Sequence, residues 1–255
     1  MHRHEDDLPH NSGVKKFINS FKHTKLSGSL AALYSNRIIQ QVAAGLIGIF
    51  FPILLYTKFN QSLYAVLIYF AVSWGLWFFL APVGAKIMSK IGLKKSLILS
   101  VLVGWAWYYF TRKFEVDGSL VFLGLSIIAL KIDQMLYWIP YHTDFAKFTD
   151  KKTRGKQMGF LIGIASLVSI AVTVVSGQII SNYGYDVLFL LAMIIYVLSI
   201  VPLFLIPDVR EKYSFGYFET YKEVFKKKNR KLLLSYGADG IQNSMGAIVW
   251  PVFIY

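Results

Sequence analysis

The sequence predicts an all-α integral membrane protein: a six-helix N-terminal bundle, then a seventh transmembrane helix, with the N-terminus in the cytoplasm. Three observations carry this expectation. Of 255 residues, 55% are hydrophobic and only 16% are charged, which lies outside the soluble norm. The apolar residues fall in blocks near 37–57, 63–83, 96–111, 119–143, 157–180, 185–206 and 232–255. Each is about long enough to cross a hydrocarbon core of ~30 Å as a helix. Finally, Lys and Arg alternate by loop.

The first 33 residues carry Arg3, Lys15, Lys16, Lys22 and Lys25. A polar stretch precedes the first apolar block, so the sequence reads without a cleavable signal peptide and the first span is expected to stay in the mature protein. "HRHEDDLPH" reads as a solvated tail rather than a metal site, and "VKKFINSFKHTK" at 14–25 as a basic amphipathic segment on an anionic leaflet. Lys86, Lys90, Lys94 and Lys95 follow the second block, Lys147, Lys151, Lys152, Arg154 and Lys156 the fourth, and eight basic residues between Arg210 and Lys231 the sixth. The opposite loops hold Lys58, then Arg112 and Lys113 offset by Glu115 and Asp117, then no basic residue in "SNYGYD". Positive loops stay inside. The net charge of +13 is therefore a topology signal and not a nucleic-acid footprint. The chain has no Cys, which excludes disulfides and thiolate metal sites.

Polar residues inside the spans locate the candidate chemistry, because a charge at mid-bilayer costs about 2.5–3.5 kcal/mol on insertion scales. In the fourth span, "ALKIDQMLYWIPYH" places Lys131 and Asp133 near mid-depth. Two residues apart, they point about 200° away from each other around a helix. Asp133 aligns with Tyr137 at i+4, and Lys131 with Gln134 at i+3. At least one of the two charges is expected to bind a polar solute or a coupling ion, the other reading being a pairing with a neighbouring helix. Tyr137 and Trp138 would stack on a sugar or aromatic solute. The first span brings Asn36, Arg37, Gln40 and Gln41, and the seventh brings Asp239, Gln242 and Asn243. His142 and Asp144 read as interfacial or gate residues where the fourth span emerges. Trp105, Trp107, Tyr108 and Tyr109 read as an interfacial aromatic belt, and Gly155, Gly159 and Gly163 as a helix-packing stripe.

The chain also repeats itself. "FPILLY" at 51–56 is echoed by "WPVFIY" at 250–255, and "SFK" at 20–22 by "TYK" at 220–222. In both copies a basic, aromatic-studded segment leads into a span with polar residues early and Pro near its outer end. Two units in the same orientation form the parallel-repeat layout of a twelve-helix secondary transporter.

At this point the sequence resembles the major facilitator superfamily. The family signature between its second and third spans reads G-x-L-A-D-R-x-G-R-K, and "AKIMSKIGLKKSL" at 85–97 matches it at Lys90, Gly92, Lys94 and Lys95. Ser89 stands where the family usually has Asp, and Ala85 stands for its first Gly. "TRGKQMG" at 153–159, with Arg154 and Gly155, resembles the opening of the family's fifth span. The resemblance implies that the first, fourth and seventh spans line a central cavity. It also implies that Lys90, Gly92, Lys94, Lys95, Arg154 and Gly155 belong to the gating loops.

The expected organisation is a cytoplasmic tail at 1–33, a six-helix bundle at 34–206, a basic cytoplasmic linker at 207–231, and the first helix of a second bundle at 232–255. The chain reads as truncated, with its partner six-helix half missing. The expected function is gradient-driven, alternating-access transport of a small polar organic solute, a sugar among the candidates, across the plasma or inner membrane with H⁺ or Na⁺ symport. Gln40, Gln41, Lys131, Asp133, Tyr137, Trp138, Asp239 and Gln242 are the expected solute- or ion-binding residues. No cofactor is implied, and no P-loop, H-E-x-x-H or G-x-S-x-G motif points to an ATPase or an enzyme. The alternative is a non-transporting seven-span receptor or scaffold, which leaves the repeat unexplained.

Overall fold

The structure is a computed structural model in which residues 26–149, 152 and 154–255 are described; the tail and the basic segment at 14–25 lie outside them. Among the described residues every regular element is helical. In chain order these are α1 (Leu26–Ile47), α2 (Phe50–Lys58), α3 (Leu63–Ile91), α4 (Leu93–Asp117), α5 (Leu120–Phe148), α6 (Arg154–Leu198) and α7 (Ile200–Leu203). The linker contributes α8 (Tyr217–Val224), and the last apolar block contributes α9 (Arg230–Ser244), a π-helical turn (Met245–Val249) and α10 (Trp250–Ile254).

Among the described residues, four stretches are long and apolar enough to cross a membrane: Gly28–Lys58, Leu63–Ile91, Leu120–Phe148 and Arg154–Leu203. The other blocks depart from the simple span pattern for local reasons. The fifth and sixth blocks join into one stretch of 50 residues. Gly184 breaks it with φ 79° and ψ 177°, a backbone conformation that glycine adopts without steric cost. α4 is helical throughout, but it carries Lys94 and Lys95 at one end and Arg112, Lys113, Glu115 and Asp117 at the other. The last block is divided by its π turn, just ahead of Pro251.

Proline inside a helix removes one N–H and leaves the carbonyl four residues earlier without its donor. In an apolar medium that carbonyl needs a donor from another element. Pro140 frees the Leu136 carbonyl of α5, and the Ser96 hydroxyl of α4 donates to it at 2.9 Å. Pro82 frees the Phe78 carbonyl of α3, and the Tyr221 hydroxyl of α8 donates to it at 2.8 Å, with Tyr217 donating to the adjacent Phe79 carbonyl at 3.1 Å. At Ser199, where α6 gives way to α7, the carbonyl accepts from Asn36 Nδ2 at 2.7 Å. The carbonyls of Leu136, Phe78 and Ser199 thus become contacts between helices.

Close packing depends on two glycines. A Cβ on Gly84 would lie 2.4 Å from Met135 Cγ and 2.7 Å from the Met135 carbonyl oxygen, so α3 and α5 meet nearly backbone to backbone. A Cβ on Gly104 would lie 2.4 Å from the Tyr196 ring. The expected stripe of Gly155, Gly159 and Gly163 does not pack in this way. Nothing stands within 4 Å of a Cβ built at any of the three, because the buried face of α6 runs instead through Gln157 and Leu161.

The aromatic cluster of α4 also departs from the belt expected for it. Tyr108 is fully buried against Tyr196, and Trp107 packs on Phe51, so helical phase turns these two into the core and leaves Trp105 at the surface. Arg112 pairs with Asp186 through two hydrogen bonds, at 2.6 and 2.9 Å, and not with the acidic residues of its own loop. The two echoed hexamers meet: α10 packs against α2, with Phe51, Pro52, Pro251 and Val252 all buried.

Gly84→Val is expected to lower the thermal midpoint of the purified protein by the equivalent of about 1–3 kcal/mol, since the obstructing atom is backbone. Gly124→Ala, where a Cβ meets nothing within 4 Å, should not lower the midpoint in the same melt. Ser96→Ala is expected to cost about 1–3 kcal/mol by leaving the Leu136 carbonyl without a donor. A melt of Ser96→Thr, which keeps the hydroxyl, checks that the hydrogen bond and not the side-chain volume is responsible.

Candidate functional site

α5 separates two chemical environments. Its two mid-helix charges, Lys131 and Asp133, are nearly opposite, and the structure places them accordingly. Asp133 is buried and turns toward α4 and α6, where Oδ1 accepts from the Tyr196 hydroxyl at 2.9 Å. Lys131, also buried, donates through Nζ to Gln134 Oε1 at 2.8 Å and lies 5.4 Å from the centre of the Trp74 ring of α3. Neither charge has an ion-pair partner among the described residues.

The Lys131 side of α5 opens into two adjoining concavities. One, of about 640 Å³, is lined by Trp74, Trp77, Gln134, Trp138, Ile139, His142 and Thr143. The second, of about 480 Å³, lies between α1, α5 and α6, and its polar lining comes from Arg37, Gln41, Tyr141, His142, Ser166 and Ser169. Trp138 and His142 belong to both, so the two form one continuous surface. Arg37 lies over the Trp138 ring with Cζ 4.8 Å from its centre, a cation–π contact that holds the guanidinium at the wall. Gln41 donates through Nε2 to Ser169 Oγ at 2.8 Å, which fixes the polar seam between α1 and α6.

The expected site residues divide between this surface and the core behind it. Gln41 and Trp138 line the concavity, and Lys131 reaches it through Gln134 and Trp74. Gln40 is buried with no hydrogen-bond partner for Nε2 and lines none of these grooves. Tyr137 is buried, donates to Asn36 Oδ1 at 3.1 Å and stacks on Tyr141, so it orders the α1–α5 interface. Asp239 is exposed on α9, accepts from Asn243 Nδ2 at 3.1 Å, and lines a groove of about 610 Å³ against Trp74 and Leu67. Gln242 lines another groove, of about 1210 Å³, opposite Ser166 and Ser169. Sequence reasoning missed Trp74, Ser166 and Ser169. The two serines share a helix face at i and i+3, which was the available signal.

The loop residues cap helices. Gly92 adopts φ 91° at the α3–α4 junction, and a Cβ there would lie 2.9 Å from Asp208 Oδ1. The Leu93 amide donates to the Val209 carbonyl at 3.0 Å, and Lys94 Nζ donates to the Phe204 carbonyl at 2.7 Å. Lys90 and Lys95 are exposed. Arg154 donates to Thr149 Oγ1 at 2.9 Å and to the Ala146 carbonyl at 2.5 Å, closing the last turn of α5, while Gly155 stays exposed. Lys147 pairs with Glu211, so the linker is attached to both loops. In the exposed linker, hydrogen bonds from Lys226 and Lys228 hold the Glu223 carboxyl down to about 2.

Tyr196→Phe is expected to cost about 1–3 kcal/mol in thermal stability by removing the donor to Asp133. In that background Asp133→Leu should restore part of the loss, because the uncompensated buried carboxyl is removed with it. A double-mutant cycle of melting midpoints checks both.

No curated protein matches the chain. The model of the family described as Major Facilitator Superfamily matches residues 33–253. That match covers most of the chain, including every helix that forms the concavity, and with the apolar helices it makes this a multi-pass membrane protein of a transporter family: the chain belongs to the Major Facilitator Superfamily.

Proposed function

We propose that the protein is a secondary active transporter of the plasma or inner membrane, moving a small polar organic solute by alternating access. In this reading the N-terminus is cytoplasmic, residues 34–206 form one six-helix bundle, 207–231 form a cytoplasmic linker against the lipid headgroups, and 232–255 open a second bundle that completes the cavity wall. The observation that carries it is the polar concavity itself. Arg37, Gln41, Gln134, His142, Ser166 and Ser169 converge on one side of helices whose other surfaces are largely apolar. Polar groups at membrane depth mark solute routes. Trp74 and Trp138 supply flat apolar walls against the body of a solute, and rocking of one bundle against the other would expose the concavity to each face in turn.

We assign gradient coupling to Asp133. It is the acidic residue buried in the middle of α5, its partner Tyr196 is neutral, and it sits on the reverse of the helix that carries Gln134 and Trp138 to the solute. An H⁺ or Na⁺ bound there would alter α5 packing against α4 and α6 without competing for the solute's own contacts.

The test is transport in proteoliposomes by the chain together with the second bundle that this reading requires, since one bundle supplies only half of the cavity wall. Saturable counterflow of a solute is expected, and Gln41→Ala should reduce it at least several-fold. Asp133→Asn should keep counterflow but lose accumulation driven by an imposed H⁺ or Na⁺ gradient. Accumulation that persists in Asp133→Asn removes the coupling assignment, and absence of counterflow for every solute tried removes the transport reading.

A further inference from the structure

We propose that the solute taken by this concavity is an anion, an organic carboxylate or phosphate, with Arg37 as the residue that pairs with its charged group and Trp138 as the platform beneath it. This deepens the transport reading and rests on it.

The charge balance of the wall carries the inference. Arg37 lines the concavity, and no carboxylate lies within ion-pair distance of it among the described residues. Lys131 backs the adjoining wall, its Nζ satisfied by the neutral Gln134 amide. No Asp or Glu lines either of the two joined grooves. Asp133 is turned about 200° away from Lys131 by its position in the helix and is hydrogen-bonded to Tyr196 in the core, so its charge still acts on Lys131 but it lines neither groove. Arg37 therefore faces a surface whose own lining carries no counter-charge, while Asp239 lies across Trp74 in the neighbouring groove.

A cation on a low-dielectric wall favours an anion far more than it would in water. Arg suits a planar, two-oxygen partner in particular, since its fork of N–H groups matches carboxylate and phosphate geometry. Trp138 covers one side of the guanidinium, with Cζ 4.8 Å from the ring centre, and the N–H groups of Arg37 supply the recognising surface. Gln41, Ser166 and Ser169 then offer hydrogen bonds to hydroxyl or carbonyl groups on the remainder of the solute. A neutral sugar would satisfy the glutamine and the serines but would bring no opposite charge to Arg37.

The same chemistry is available from a lipid phosphate, so the experiment separates the two sources. Intrinsic tryptophan fluorescence of the purified protein is titrated with gluconate, glucose 6-phosphate and neutral glucose, in detergent alone and in detergent with added phosphatidylglycerol. The expected result is saturable quenching by at least one of the two anions and weaker or no quenching by glucose. Arg37→Gln should weaken the anion at least about tenfold, the scale of a lost charge-assisted hydrogen bond. Arg37→Lys should recover part of the affinity, and a thermal melt of each variant confirms that it is folded. Competition by phosphatidylglycerol in the absence of any effect from the soluble anions would overturn the proposal in favour of a lipid site. Equal binding of glucose and the anions, unaffected by Arg37→Gln, would overturn it while leaving transport itself intact, because counterflow of a neutral solute would still be measurable.

Discussion

No water is available inside a bilayer to complete a broken hydrogen bond, and this constraint shapes the rest of the molecule. The helices carry prolines at Pro82 and Pro140, and each frees a carbonyl that another element must satisfy. Ser96 supplies one donor and Tyr221 the other, while Asn36 supplies a third where α6 ends. These bonds are directional, so they fix rotation and register between helices that apolar packing alone would leave loosely defined. Gly84 and Gly104 then let the helices close to contact distance around those fixed points. The orientation of α5 follows from this framework, and with it the division between Asp133 in the core and Gln134 and Trp138 at the concavity.

Much of the architecture was legible in composition and order. Long apolar blocks in lipid have one backbone solution, so helical structure was set wherever the blocks ran. The opposition of Lys131 and Asp133 was legible too, because it depends only on helical rotation. What a linear pattern does not contain is helix phase relative to neighbours. Tyr108 and Trp107 look like a surface belt in sequence, yet Tyr108 is buried on Tyr196 and Trp107 packs, half-buried, on Phe51. The three glycines of α6 look like a packing face, yet the buried side of that helix passes through Gln157 and Leu161. Gln40 and Gln41 are neighbours with opposite fates for the same reason. Ser166 and Ser169 gave little signal alone, since serine in an apolar helix commonly bonds its own backbone; pairing across to Gln41 gives Ser169 its place in the site.

The loops have a second layer of meaning. Positive charge there was read as topology, but several of those charges also finish helices. Lys94 and Arg154 donate to carbonyls at helix ends, and Lys147 holds Glu211 of the linker. The linker therefore follows a defined path over the loops before α8 reaches the proline bend of α3. The linker is joined to α3 beside Pro82 through two tyrosine hydroxyls, those of Tyr217 and Tyr221.

The meeting of the two proline hexamers has a geometric corollary. When a unit is duplicated and its copies are related by rotation, a segment can touch its own counterpart only close to the line about which the rotation occurs. The contact of α2 with α10 would mark that line, near Pro52 and Pro251. Residues there undergo the least displacement when one copy tilts against the other, so this corner is suited to act as the pivot.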